Sequence, residues 1–199
     1  MTLVRNAAPP EHRHARAAGP MLNVGESSAQ AMNMRADGSV TDAEFKTVMR
    51  QVVSSVAIVT SRAGKVRNGL TATAVCSVSA EPPTMLICVN RRASAESLIA
   101  ESGAFAVNFL TQDQHQIARL FSTSKLSADE RFVEGKWESL VTGAPVLDGA
   151  VAAFDCRVEE CHLSGTHHIY IGRVVAATSL DQHALLYRDG SFRRLAAIV

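Results

Sequence analysis

Asn68-Gly69-Leu70-Thr71-Ala72-Thr73-Ala74-Val75-Cys76-Ser77-Val78-Ser79 is a run of small, Thr-rich and Val-rich residues. β-branched side chains suit a pleated, half-buried surface, so residues 66–79 are predicted as one long strand. Pro82 and Pro83 end it, since proline has no N–H to give a ladder. Upstream, residues 55–62 are Val- and Ile-rich and stop at Ala63-Gly64-Lys65, which reads as a strand and a turn. Downstream, residues 84–89 and 105–110 are short apolar strands. Residues 151–163 and 167–179 are long strands joined by Ser164-Gly165-Thr166, the first with Ala153, Asp155, Arg157 and Glu159 alternating against Ala152, Phe154, Cys156 and Val158. Residues 185–188 and 192–195 form a hairpin around Asp189-Gly190.

Helices fill the gaps. Thr41-Asp42 is a cap, with Phe45, Val48, Met49 and Val52 following on one helical face. Residues 95–101 and 111–121 are further helices, and Ser127 with Glu130 matches a capping box. Strands outnumber helices and tight turns join them. The fold class expected is mainly β with flanking helices, an antiparallel sheet rolled into a barrel. Residues 1–38 lack apolar periodicity and read as a disordered tail, which leaves one domain over residues 39–199.

Composition excludes several classes. Apolar residues make up 47% of the chain and charged residues 20%, the balance of a globular protein with a core. A net charge of +1 and few aromatics argue against a nucleic-acid partner. No apolar run reaches the ~18 residues of a transmembrane helix, and no signal-like segment opens the chain, so no membrane and a cytoplasmic location are expected. Cys76, Cys88, Cys156 and Cys161 form no C-x-x-C pair; they read as small buried hydrophobes, and no metal set is expected. His12 and His14 lie in the polar tail and read as solvated. The G-x-G-x-x-G, P-loop, H-E-x-x-H and G-x-S-x-G patterns are all missing. Chemistry borrowed from a redox cofactor remains open, because the protein then supplies only binding, orientation and electrostatics.

The opening stretch fits that role. Gly69, Ala72 and Ala74 let a flat ligand approach the backbone, and Thr71 and Thr73 offer hydroxyls. Asn90 can donate and accept at a ring edge. Arg91, Arg92 and Ser94 stand at a helix start, where amides and cations suit a phosphate. The same residues are equally compatible with a Thr-rich strand and a solvated Arg pair.

Five collinear blocks resemble the short-chain flavin reductase family, the reductases of two-component flavin monooxygenases. The opening strand with Pro82-Pro83 and the Cys88-Val89-Asn90 strand end is the first. Residues 102–110 resemble its G-x-F-x-V-N-x-L strand, and residues 143–149 its G-x-P-x-L-x-G turn. Residues 165–172 resemble its G-D-H-x-x-x-x-G strand, and residues 185–190 its L-L-Y-x-x-G hairpin. The similarity spans residues 45–195.

The resemblance implies a split antiparallel β-barrel that binds FMN or FAD, acts as a homodimer, and passes reduced flavin to an oxygenase component. NADH or NADPH is the implied hydride donor, from nicotinamide C4 to flavin N5. By the same resemblance Asn68, Gly69, Leu70, Thr71, Ala72, Thr73 and Ala74 line the flavin, with Cys88, Val89 and Asn90 beside them. Arg91, Ser94 and Ala95 serve the phosphate, the last two through helix-start amides, and Phe121 lies against the flavin. Tyr187, Arg188 and Gly190 face the nicotinamide, and His167 borders it as the candidate catalytic residue. Two departures stand out. Ala93 and Ala95 replace common hydroxyl residues, and Thr166 stands where Asp is common, which leaves the orientation of His167 open. A non-catalytic split barrel holding flavin or another cofactor is the alternative, and a purely structural subunit a weaker third.

Overall fold

The computed structural model describes residues 39–197; the expected tail over residues 1–38 falls outside them. α1 (Asp42–Met49) opens the described chain with the capping box of Thr41 and Glu44 in place. β1 (Ser54–Ser55) and β2 (Ala57–Ala63) lead through a turn to β3 (Val66–Ala72). The long strand expected over residues 66–79 is broken: β4 (Val75–Ala80) starts afresh after Thr73 and Ala74. The cause lies in its partners. β3 pairs with β2, whereas β4 pairs with β5 (Pro83–Asn90), and one straight strand cannot serve both.

α2 (Glu96–Ser102) and β6 (Ala104–Phe109) come next, then a 3-10 turn at Gln112–Gln114, α3 (His115–Ser122) and α4 (Ala128–Arg131). β7 (Trp137–Ser139) and β8 (Pro145–Leu147) make a small ribbon that the sequence pattern did not announce. β9 (Ala152–Ser164) and β10 (His167–Ser179) are the two long strands, and β11 (Leu186–Arg188) and β12 (Ser191–Arg193) the terminal hairpin. Asp189 and Gly190 both have positive φ, as an Asp-Gly hairpin turn requires.

Seven strands join antiparallel in the order β3-β2-β6-β9-β10-β5-β4. The two edge strands are consecutive in the chain, so only Thr73 and Ala74 separate opposite edges of the sheet. Such a sheet must curl until its edges nearly meet. The result is a barrel split along the β3–β4 seam.

β2 is buried on both faces. Ala57 and Val59 join Ile87, Val89, Phe105 and Val107 in one core cluster, while Ile58 joins Leu110, Ile117, Phe121, Phe132 and Leu147 in a second cluster with α3 and α4. Each large side chain so buried contributes roughly 1.5–3 kcal/mol. The alternation expected for β9 gives way at Asp155, which is fully buried. Its carboxylate accepts from the Val141 and Thr142 amides, both at 2.8 Å, and from the Thr142 hydroxyl, anchoring the loop before β8.

The cysteines also depart from expectation. Cys156 alone is buried, and desolvation, reinforced by Asp155, pushes its thiol up to about 12; Cys76 and Cys161 are exposed. β4 and the far half of β9 face outward, so cysteines there have no core to join. α1 differs too. Its apolar face is real, yet none of its residues is buried, and Phe45 is 58% exposed. Among the described residues no helix is long and apolar enough to cross a membrane.

Candidate functional site

β3 and the loop after β5 meet at a cleft of about 240 Å³ lined by Gly69, Leu70, Arg92, Ser94, Phe121 and Arg131, among others. Asn68 Nδ2 donates to Ser94 Oγ at 3.1 Å. Arg131 Nη1 donates to Asn68 Oδ1 at 2.8 Å, Ser94 Oγ at 3.0 Å and the Gly69 carbonyl at 3.2 Å, and Nη2 to the Thr123 carbonyl at 3.0 Å. Arg131 is only 5% exposed, and its Nε has no partner among the described residues. None of its partners among the described residues is a carboxylate. A buried cation without a counter-charge is costly, and an arriving anion relieves it. These donors therefore fit the phosphate end of a flavin.

Gly69 is needed for close packing. A Cβ there would lie 2.7 Å from Phe121 Cε1 and 2.8 Å from the Val59 carbonyl oxygen. Phe121 is held against it by Phe132 and Trp137, at centroid distances of 4.9 and 5.4 Å, and forms a buried wall of the cleft. The structure thus gathers Asn68, Gly69, Leu70, Ser94 and Phe121. Other candidates act as frame. Thr71 spends its hydroxyl on the Ala118 carbonyl at 2.7 Å, while Ala72 and Val89 face the barrel core and Ala95 is buried at the start of α2. Cys88 is half-buried, its amide bonded to the Ala74 carbonyl at 3.0 Å and its thiol pushed up by burial first and Cys76 second.

The loop after β5 uses up part of its own main chain. The Arg92 amide donates to Asn90 Oδ1 at 2.9 Å, the Ala93 amide to the Asn90 carbonyl at 2.9 Å, and the Glu96 amide to the Ala93 carbonyl at 3.0 Å. The Arg91 amide donates to the Thr166 carbonyl at 3.0 Å. Side chains, Arg131 foremost, are therefore the larger resource for an anion.

A second cleft, of about 460 Å³, lies at the seam. Thr73 and Ser54 share it with Met49, Val52, Tyr187 and Gly190. Arg188 is turned elsewhere and donates to Gln51 Oε1 at 2.8 Å. His167 lies apart from Tyr187: it pairs with Asn90 in the barrel, whereas Tyr187 pairs with Ser54 in the separate three-stranded sheet. Thr166 Oγ1 lies 2.9 Å from His167 Nδ1, so this threonine orients the ring. Asn90, Arg91, Arg92, Gly165 and Thr166 line a further cleft there, of about 450 Å³.

Residues 49–196 match the family model for the flavin reductase like domain. The chain belongs to this flavin reductase family. The FMN reductase (NADH) RutF of Agrobacterium fabrum is 41% identical over 153 residues, covering 76% of this chain and 87% of its own length. The NADH:FAD oxidoreductase SgcE6 of Streptomyces globisporus C-1027, solved with NAD and FAD fragments, is 31% identical with a TM-score of 0.72, over 77% of this chain and 92% of that one. BorF, the flavin reductase component of a bacterial two-component tryptophan halogenase, is 31% identical with a TM-score of 0.73, over 79% of this chain and all of that one (100%). The split-barrel class and the flavin reductase assignment read from the sequence both stand.

Sequence reading of this reductase missed two features. Arg131 sits 63 positions from Asn68, and its motif announces only a capped helix. The second is a cluster at the start of α2. Glu96 Oε1 lies 2.5 Å from His168 Nδ1 and accepts from the Tyr170 hydroxyl at 2.7 Å. Burial alone would raise the Glu96 carboxyl, but hydrogen bonds from Tyr170 and His168 and the charges of His168 and Arg91 outweigh it, leaving the group below its ordinary range. The spacing of His168 and Tyr170 on one strand face was legible; their partner on α2 was not.

Proposed function

We propose that this reductase oxidises NADH, reduces FMN in preference to FAD, and releases the reduced flavin to a separate oxygen-using enzyme. One observation carries the reading: β3 passes the Arg131 cleft at Gly69 and leads directly into Thr73, which shares the seam cleft with Tyr187 and Gly190. Four strand residues cover about 13 Å, room for a ribityl chain between a phosphate and a ring. The flavin supplies the redox chemistry, taking hydride from the nicotinamide.

The chain's own contribution is alignment. Arg131 and Ser94 hold the phosphate end, β3 carries the middle, and Tyr187 with Gly190 bounds the space where the nicotinamide stacks. Well-oriented reactants gain on the order of 7–11 kcal/mol from such positioning. No side chain has to act as acid or base. Release requires modest affinity, and a micromolar dissociation constant is about −8 kcal/mol. The FMN and NADH named for the RutF relative favour those substrates, and the role of BorF beside a halogenase favours a two-component partnership.

The working unit in this reading is a homodimer in the cytoplasm. The exposed face of α1, with Phe45, Val48 and Met49, is apolar and adjoins the seam cleft. His167 takes its place at the nicotinamide from the second subunit. The decisive assay follows NADH and NADPH oxidation with FMN and FAD. Oxidation that requires added flavin supports the reading, and no oxidation in any of the four combinations overturns it.

A further inference from the structure

The β11–β12 hairpin also lines the largest of these clefts, about 550 Å³. Its size is that of a small-ligand pocket. Arg119, Arg193 and Arg194 line it with His115, and among the described residues no Asp or Glu does. The whole chain is nearly neutral, with 20 basic and 19 acidic residues, so three arginines without a carboxylate are a local concentration of charge. None of the three guanidiniums makes an ion pair or hydrogen bond among the described residues. His115 and Arg119 are one helical turn apart on α3 and so share a face.

Aromatic rings complete the lining. Phe192 is flanked by Tyr187 at 6.0 Å and by His115 at 6.3 Å between centroids, and the Arg119 guanidinium lies 5.9 Å from its ring centre. Free guanidiniums suit phosphate oxygens, and a planar ring surface suits a base. Tyr187 and Gly190 line this cleft and the seam cleft alike, so the two adjoin at the hairpin.

We infer that this arginine cleft binds an adenosine diphosphate moiety, the half of a dinucleotide that does no redox chemistry. The inference rests on the reductase reading above, which puts the reacting rings at the seam. Two substrates carry that moiety: the nicotinamide dinucleotide and FAD. Neither FMN nor reduced nicotinamide mononucleotide carries it, which separates the sources.

The test compares the wild type with Arg119→Gln/Arg193→Gln in steady-state turnover. Both residues are exposed. Losing two charge-assisted contacts predicts a rise of roughly tenfold or more in KM for the substrate that uses the cleft. If the nicotinamide dinucleotide uses it, KM for NADH rises and the preference for NADH over reduced nicotinamide mononucleotide shrinks, with FMN as acceptor. If FAD uses it, KM for FAD rises and the FAD-to-FMN preference shrinks. Either outcome supports the inference. Unchanged preferences for both pairs overturn it, including a case where all four constants rise together. A wild type that oxidises neither donor overturns the reductase reading and this inference with it.

Discussion

Arg131 is the anchor of the cleft beside β3. Its guanidinium ties Asn68, Gly69, Ser94 and Thr123 together from a buried position, with no paired carboxylate among the described residues. Arg131→Met keeps the stem and removes the charge. Flavin affinity should fall by about tenfold or more, and unsatisfied partners should cost on the order of 1–3 kcal/mol of stability. Fluorescence-quenching titration and thermal melting measure the two; unchanged FMN affinity would remove Arg131 from the site. Glu96 supplies the pH dependence. Its carboxyl is lowered from 4.5 by Tyr170, His168 and Arg91 against the opposing pull of burial. A group whose folded value lies below its unfolded one contributes fully above 4.5 and loses that contribution as pH falls through the folded value. The melting temperature of the wild type should therefore drop more steeply below pH 4.5 than that of Glu96→Gln, measured by circular dichroism across the acid range.

Elements show why the site is where it is. β3 pairs with β2 along one edge and packs against α3 and α4, and a Cβ at Gly69 would meet both Phe121 of α3 and the Val59 carbonyl of β2. Gly69→Ala places a methyl group against the Val59 carbonyl, which no rotamer change can relieve. A loss of about 1–3 kcal/mol is expected from such overpacking, with weaker FMN binding, read by melting and titration. Most of these elements were legible. The cap at Thr41, the box at Ser127, the Asp189-Gly190 turn and the extent of β10 follow from local chemistry that acts over a few residues. The break at Thr73-Ala74 was not, because nothing local ends a Thr- and Val-rich run; distant partners do. Asn108 is an intermediate case. Its motif marked it, but only the fold shows its side chain donating to the Ile58 carbonyl and accepting from the Leu147 amide, which makes it a brace and not a ligand. Arg131 and Glu96 were invisible for the same reason as the break.

At the scale of the molecule, the exposed face of α1 is the outstanding debt. An eight-residue helix with no buried side chain has little intrinsic stability in water. Phe45, Val48 and Met49 are each close to half exposed or more. In the proposed homodimer a second subunit would cover them and close over the seam cleft, to which Lys46, Met49 and Arg50 contribute. Phe45→Glu with Val48→Glu should convert a dimer to monomers in analytical ultracentrifugation and reduce turnover with it. A wild type that sediments as a monomer at working concentration removes the dimer from the account.

The link between β3 and β4 has a mechanical corollary. Ala72 and Val75 are three peptide steps apart, and a fully stretched chain covers at most ~3.3–3.6 Å per residue. However the rest of the barrel breathes, the mouth of the seam at this end stays narrower than about 11 Å. It works as a clasp rather than a door. A flat molecule seated there, as proposed, would rest beside two strand ends whose separation has a ceiling set by the covalent chain alone.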